Sequence, residues 1–260
     1  SGRGGRYSIV GFDPVAIIKG KNNELQIKEM NGHTETLYGN PLDSMKNWMK
    51  TFRSEKIPNY PPFYGGAIGY FTYDCARYIE KLPTVAKDDL TLPDIYFLLF
   101  DDVFIFDNES EMLYVVVHSI GENVNEVESK LEHYEAIWQR EVSGNIYNYE
   151  YTPVSSERKV SLTEDAFVEA VKKVQNYISK GDVFQVNLSV RQAEPIYTHP
   201  MEIYSKLREV NPSPYMGYLH FPEFQIVSGS PELLVKKEGN SISTRPIAGT
   251  RSRGKTESED

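Results

Sequence analysis

The sequence has one cysteine, no long apolar run and no excess of positive charge. A lone Cys75 excludes an internal disulfide and a cysteine-rich metal site, and it favours a reducing cytosol. A membrane helix needs about 18 consecutive apolar residues, so we expect no membrane span. The 28 Lys and Arg against 37 Asp and Glu give a net charge of −9, which argues against sequence-independent nucleic-acid binding.

Several catalytic motifs are also missing. The sequence contains no GxxxxGK[ST] phosphate loop, no HExxH metal motif, no GxSxG nucleophile turn and no cluster of Cys and His. Its five histidines are scattered, which is typical of surface or core residues rather than metal ligands. Cys75 has no adjacent base to activate it, so we predict a small buried residue rather than a nucleophile.

The 260 residues allow one large domain or two small ones, and their composition is that of an ordinary globular protein. The chain starts at Ser1 without a Met and stops in a polar run at Asp260, so we expect a fragment. Residues 143–160 show no hydrophobic periodicity and contain Gly, Asn, Ser and Pro. We predict an N-terminal domain at 1–145, a linker at 146–160 and a second, C-terminally incomplete domain at 161–260.

Hydrophobic patterning predicts an α+β fold made of antiparallel strands. Three glycines at 65, 66 and 69 among aromatic residues favour close backbone packing in a sheet over a phosphate-binding loop. Short connections predict antiparallel neighbours throughout. The predicted strands span 6–12, 15–19, 24–29, 35–38, 95–106, 112–118, 183–190, 215–221, 224–228, 233–237 and 241–247. The predicted helices span 42–52, 124–138, a segment that follows the capping residues 161–164 and stops at Gly181, and a short segment from Pro200.

The predicted strand 183–190 has two different faces. Phe184, Val186, Leu188 and Val190 alternate with Gln185, Asn187 and Ser189. The second face therefore consists of neutral hydrogen-bonding side chains. Such a face is either solvated or lines a polar cavity.

The residues with the most chemical potential lie between 228 and 254. Glu232 follows a tight turn at the start of a strand, and the next hairpin brings it near residues 248–250. Gly249 and Thr250 offer amides and a hydroxyl that suit a carboxylate, and nearby arginines add positive potential. Composition alone favours a simpler interpretation, in which Glu232 is a turn carboxylate and the arginines only solvate a loop.

Four ordered motifs resemble the chorismate-utilising enzymes, a family that includes the large subunits of anthranilate synthase and 4-amino-4-deoxychorismate synthase. The motifs are GDVFQVNLS at 181–189, NPSPYM at 211–216, SGSPE at 228–232 and RPIAGTR at 245–251. The segments GRYSIVG at 5–11 and GGAIGY at 65–70 are similar to the two aminating subunits. The resemblance covers nearly the whole chain.

The resemblance implies a fold of layered antiparallel β-sheets flanked by helices, as in anthranilate synthase component I. It makes residues 161–260 the first half of a chorismate-binding catalytic domain. Ala248, Gly249 and Thr250 would bind a chorismate carboxylate, and Glu232 would be the general acid that protonates the departing C4 hydroxyl. Such an acid must hold its proton near neutral pH, which burial would favour. The Mg²⁺ ligands are expected beyond residue 260.

The resemblance also implies that ammonia, not water, is the nucleophile. A lysine stands at the place of Gln185 in isochorismate-forming relatives and activates water, whereas an amide cannot take that proton. A glutamine amidotransferase subunit would deliver the ammonia. The single cysteine, the acidic net charge and the lack of a long apolar run favour a cytoplasmic protein without nucleic-acid or membrane partners.

Two aminating activities remain open, and the motifs favour aminodeoxychorismate formation over anthranilate formation. Ala248 stands where aminodeoxychorismate synthases typically have a lysine that attacks the ring, and it matches anthranilate synthases at this position. In an aminodeoxychorismate synthase it would therefore argue for direct amination. Ser1, Pro214, Tyr215 and Met216 match family positions that bind tryptophan, although Pro214 and Tyr215 equally suit a rigid turn. A non-catalytic module that binds a small anion or tryptophan is a further alternative.

Overall fold

The computed structural model describes residues 5–55, 57–119, 121, 123–141, 158–247, 249, 252–256 and 258. Eight strands lie in the first half, namely β1 (Tyr7–Val10), β2 (Ala16–Lys21), β3 (Glu24–Glu29), β4 (Thr34–Tyr38), β5 (Gly66–Phe71), β6 (Ile95–Phe100), β7 (Val103–Asp107) and β8 (Met112–Val116). They form a five-stranded sheet of order β4-β3-β2-β6-β5 and a three-stranded sheet of order β1-β7-β8, both antiparallel. The predicted α+β class with antiparallel sheets is confirmed.

Four α-helices accompany the sheets, namely α1 (Pro41–Trp48), α2 (Val124–Trp138), α3 (Glu164–Lys180) and α4 (Pro200–Val210). Polar side chains cap their first turns: Asn40 accepts a hydrogen bond from the Leu42 amide, and Thr163 accepts one from the Ala166 amide. Gly181 ends α3 with a left-handed φ of 79°. The predicted helix 42–52 divides into α1 and a 3₁₀ turn at Met49–Thr51.

The predicted strand 95–106 is two strands, because Asp101 and Asp102 form a bend between β6 and β7. The buried Asp102 carboxylate accepts hydrogen bonds of 2.9 Å from the His118 amide and from the Tyr134 hydroxyl. Lys130 on α2 adds an ion pair at 3.1 Å. These contacts hold α2 against the bend.

Glycine at position 69 allows the close backbone approach that the sequence predicts. A Cβ at this position would lie 2.0 Å from the Tyr96 carbonyl oxygen and 2.6 Å from the Phe97 Cα. Gly65, just before β5, and Gly66, its first residue, adopt φ values of 142° and 134° that side chains rarely permit. The glycines of this segment therefore serve sheet packing, as predicted.

The second half contains three two-stranded antiparallel sheets. Their strands are β9 (Lys159–Val160) with β10 (Gln192–Ala193), β11 (Tyr215–His220) with β12 (Gln225–Ser230), and β13 (Leu233–Glu238) with β14 (Ser241–Arg245). The four predicted strands after residue 214 are confirmed. However, β12 continues to Ser230, where we predicted a turn, because Tyr215 pairs with Ser230.

Two predictions in this half need correction or stay open. The predicted strand 183–190 is wrong for the described chain, because no described strand pairs with it and Phe184 is 94% exposed. A strand is stable only with a hydrogen-bonding neighbour, which local alternation does not provide. Residues 146–157 of the predicted linker lie outside the described residues, and its last two residues form β9. The domain division stays a prediction.

Two apolar clusters form the core. The first lies between the five-stranded sheet and α1, around Ile18, Leu25, Ile27 and Met45. The second lies on the opposite face and includes Tyr96, Leu98 and Ile105 together with the fully buried Phe221 of the β11–β12 hairpin, whose ring contacts that of Tyr96. This hairpin therefore packs directly against strands of the first half.

Candidate active site

The β13–β14 hairpin carries the predicted catalytic carboxyl at its open end. Glu238 pairs with Ser241 across a two-residue loop, in which Gly239 has a φ of 56°. At the other end Leu233 pairs with Arg245, and Glu232 immediately precedes the strand. The hairpin thus brings two segments that are about fifteen residues apart in sequence to one place, as the sequence predicts.

Glu232 lies at the edge of the predicted carboxylate-binding turn. Its Oε1 atom accepts a 3.1 Å hydrogen bond from the Ile247 amide, directly before residues 248–250. Its own amide donates to the Ser230 hydroxyl at 3.3 Å. Gly249 is exposed, and a Cβ built on it meets nothing within 4 Å, so open space adjoins this backbone. Ala248 and Thr250 lie outside the described residues.

The described chain does not bury Glu232, whose side chain is exposed. Its one described side-chain hydrogen bond comes from the Ile247 amide. The general-acid role implied by the resemblance needs the protonated form. Cover from groups other than the described residues, such as bound substrate, would therefore be required for that role.

Gln185 lies apart from this arrangement in the described chain. It is exposed in the irregular segment that follows α3. No hydrogen bond among the described residues joins it to Glu232 or Gly249. Its assigned role in excluding water chemistry stays a prediction.

The predicted tryptophan-binding residues are only partly described. Pro214 and Tyr215 are exposed, and Met216 is half-buried at the start of β11. A Cβ on Gly5 would lie 3.2 Å from the Pro214 carbonyl oxygen, so the N-terminal segment runs against this corner. Ser1 lies outside the described residues. The neighbourhood of the two segments agrees with the prediction, but it also suits simple packing.

The contacts that Glu223 makes at the tip of the β11–β12 hairpin, called the anchor below, were not predicted from the sequence. Glu223 Oε2 accepts a 2.6 Å hydrogen bond from the Tyr96 hydroxyl, and Oε1 accepts one from Lys19. Burial opposes ionisation, but these hydrogen bonds hold the pKa of Glu223 below its ordinary value. Burial first, and then the Glu223 hydrogen bond, raise the pKa of Tyr96 well above its usual range. The only local sequence feature that pointed to these contacts was the pair Phe221 and Phe224, which flanks a Pro-Glu turn.

Tyr70 lies beside this anchor. Its ring is 5.7 Å from that of Phe221, and its buried hydroxyl has no hydrogen-bond partner among the described residues. Burial, followed by the charges of Asp94 and Glu223, raises the pKa of Tyr70 to about 12. Tyr70 is therefore a neutral phenol at physiological pH.

Two surface concavities formed by described residues lie away from the candidate site. One of about 440 Å³ lies between β9, β10 and the start of α3, and one of about 300 Å³ adjoins Asp74, Arg77 and Asp94. Neither includes Glu232 or Gln185. Chemistry, rather than cavity size, identifies the candidate site, because an open hairpin end encloses little volume without further cover.

The described residues contain neither a metal-binding cluster nor a membrane-spanning helix. No group of three or more His, Cys, Asp or Glu there could hold a metal ion. None of the described helices combines the length and the apolar character that crossing a membrane requires.

The chain is similar to known proteins over nearly its whole length. The model of the chorismate binding enzyme family matches residues 1–260. Aminodeoxychorismate synthase component 1 of Bacillus subtilis is 49% identical over 100% of this chain and 55% of its own length. Anthranilate synthase component 1 of Acetivibrio thermocellus is 37% identical over 98% of this chain and 53% of its own length. The chain spans about half the length of these curated relatives.

A solved structure supports the fold. The crystal structure of anthranilate synthase component I from Streptococcus pneumoniae TIGR4 matches with a TM-score of 0.77 and 26% identity, over 92% of this chain and 53% of that chain. The antiparallel sheets and helices therefore have the fold of the anthranilate synthase component I type. The chain belongs to the chorismate binding enzyme family.

Proposed function

We propose that this protein is the large subunit of aminodeoxychorismate synthase, which converts chorismate and ammonia to 4-amino-4-deoxychorismate for p-aminobenzoate and folate synthesis. The geometric observation that carries the proposal is the hydrogen bond from the Ile247 amide to Glu232, at the edge of the 248–250 turn. The 49% identity to an aminodeoxychorismate synthase, against 37% to an anthranilate synthase, favours this branch of the family.

The proposed chemistry assigns one task to each group. Gly249 and Thr250, with the backbone at Ala248, hold a carboxylate of chorismate through amide and hydroxyl donors. Protonated Glu232 gives its proton to the C4 hydroxyl, the C4–O bond breaks and water leaves. Ammonia forms the new C–N bond at C4, and the amine then loses a proton. Glu232 is left as a carboxylate that can take up this proton.

Two residue types make ammonia and direct amination the proposed route. Gln185 carries an amide, which cannot remove a proton from water as a lysine does in isochorismate-forming relatives. Ala248 has no nucleophile, so a covalent enzyme–ring intermediate at this position is excluded. Direct attack of ammonia on the ring carbon is therefore the proposed route.

A separate glutamine amidotransferase subunit is the proposed ammonia source. The only cysteine, Cys75, is buried and its thiol donates to the Asp94 carbonyl oxygen at 3.0 Å. Burial raises the pKa of Cys75, which is the opposite of what a glutaminase nucleophile needs. This reduced thiol also supports the proposed cytosolic location. Mg²⁺ is proposed as a cofactor, but the described residues offer no ligand set for it and no step is assigned to it.

A tryptophan site at Ser1, Pro214, Tyr215 and Met216 is a secondary proposal. It is supported by the close approach of Gly5 to Pro214 and by the partial exposure of Tyr215, at 40%. Isothermal titration of the full-length protein with tryptophan tests it. Loss of binding in Tyr215→Ala would support the site, and an unchanged affinity would contradict it.

Anthranilate synthase is the alternative function, favoured by Ala248 and by the fold match to an anthranilate synthase component I. To separate the two, full-length protein is incubated with chorismate, Mg²⁺ and ammonium, with and without aminodeoxychorismate lyase. We expect p-aminobenzoate only when the lyase is added. Anthranilate fluorescence without the lyase would establish the alternative, and no loss of chorismate would favour a non-catalytic binding module.

A further inference from the structure

The β13–β14 hairpin contains one residue too many on one strand. Lys236 pairs with Ser243 and Leu233 pairs with Arg245, so Leu234 and Val235 together face Thr244. This arrangement is a β-bulge, which bends a strand and re-aims the side chains beyond it. The bulge lies two residues from Glu232.

The bulge determines which backbone groups Glu232 meets. Without the extra residue, the strand register would place Glu232 opposite Ile247. With the extra residue, Glu232 lies opposite Pro246. Proline has no N–H, so the first donor beyond this point is the Ile247 amide. That amide donates to the Glu232 carboxylate at 3.1 Å. The extra residue and the proline together therefore leave the Ile247 amide, directly before residues 248–250, as the donor for the Glu232 carboxylate.

Thr244 holds the bulge in place. Its Oγ1 donates a 2.7 Å hydrogen bond to the Leu234 carbonyl oxygen and lies 3.5 Å from that of Leu233. In a bulge, backbone carbonyls lose their regular partners across the ladder. The threonine hydroxyl supplies a replacement donor on the opposite strand.

We propose that Thr244 is a positioning residue, whose hydroxyl fixes the bulge that directs Glu232 toward the Ile247 amide. Its effect on catalysis rests on the proposed function and acts through Glu232. Its effect on the hairpin does not depend on any reaction. The two effects can therefore be measured separately.

The structural test uses the Ile247 amide in full-length protein labelled with ¹⁵N-isoleucine. Thr244→Val keeps the shape but removes the hydroxyl, and Thr244→Ser keeps the hydroxyl. We expect hydrogen exchange at Ile247 to be about three- to tenfold faster in Thr244→Val and unchanged in Thr244→Ser. The matched control is Ser243→Ala, one position away. Equal exchange in wild type and Thr244→Val, or faster exchange in Thr244→Ser, would overturn the proposal.

The kinetic test uses the same variants with chorismate and ammonium. Thr244→Val should lower kcat about three- to tenfold with little change in KM, and Thr244→Ser should restore it. A fall in kcat without faster exchange at Ile247 would contradict the positioning role. If wild-type protein does not aminate chorismate, the proposed function fails, whereas the exchange measurement still tests the role of Thr244 in the hairpin.

Discussion

Arg6 and Asp107 form a two-point ion pair that attaches the N-terminal strand to β7. The guanidinium Nε lies 3.0 Å from Oδ1 and a terminal nitrogen lies 2.8 Å from Oδ2, while the Asp107 side chain is only 2% exposed. The Glu109 amide donates a further hydrogen bond to Oδ1. The pair fixes β1, and through it the segment at Gly5 that approaches Pro214.

This ion pair predicts a loss of stability in acid. The hydrogen bonds from Arg6 hold the pKa of Asp107 well below its ordinary value, against the opposing effect of burial. A carboxyl with a lowered folded-state pKa stabilises the fold above its unfolded-state pKa, near 3.8, and this contribution disappears as the pH falls further. In Asp107→Asn, urea unfolding should therefore show a lower midpoint at pH 7 and a weaker decrease between pH 5 and pH 2.5.

The control for this prediction is Glu128→Gln, at an exposed position on α2. This variant should keep the wild-type dependence of the unfolding midpoint on pH. If Asp107→Asn and wild type lose stability in parallel below pH 4, the ion pair is not the acid-sensitive element.

Phe221→Ala should be among the most destabilising single changes in the second half. Phe221 is fully buried, with its ring 4.0 Å from that of Tyr96, so the substitution leaves a cavity between the hairpin and the first-half sheet. We expect a loss of about 3–5 kcal/mol in the free energy of unfolding. Tyr73→Ala, at a side chain that is 95% exposed, should change it by less than about 0.5 kcal/mol. Similar costs for both would contradict the packing.

Gly69→Ala tests the close approach of β5 and β6. The added methyl would lie 2.0 Å from the Tyr96 carbonyl oxygen, which is backbone and cannot move aside without parting the two strands. We expect a loss of at least about 2 kcal/mol in the free energy of unfolding. Gly217→Ala on β11 is the matched control, because a Cβ there meets nothing within 4 Å. A melting temperature of Gly69→Ala equal to that of Gly217→Ala would contradict the close approach.

Local signals in the sequence were sufficient for much of the fold. The helix at 124–138 was predicted with its observed bounds, because its apolar residues recur at helical spacing. The structure adds that Asn123 caps its first turn. The strand at 24–29 was likewise predicted with its bounds, since turn residues flank it on both sides. In both cases the determining interactions lie within a few residues along the chain.

Features that depend on distant partners were not predictable. The alternation at 183–190 gives a preference for strand but no neighbour to pair with, and the segment is irregular in the described chain. The hydrogen bond between Tyr96 and Glu223 joins residues 127 positions apart. The bulge facing Thr244 depends on register, which pairing and not composition determines. The position of Glu232 beside Ile247 was predictable, because a hairpin connects them.

Glu232→Gln is the decisive change for the proposed chemistry. An amide is nearly isosteric with the carboxyl but cannot transfer a proton to the C4 hydroxyl, so kcat of the full-length protein should fall about 10²–10⁴-fold. Glu238→Gln, on the same hairpin and exposed, should leave kcat unchanged. Chorismate consumption measured by absorbance, with melting temperatures for both variants, separates lost chemistry from lost folding. Near wild-type turnover in a well-folded Glu232→Gln protein would return Glu232 to an ordinary turn carboxylate and remove the general acid from the mechanism.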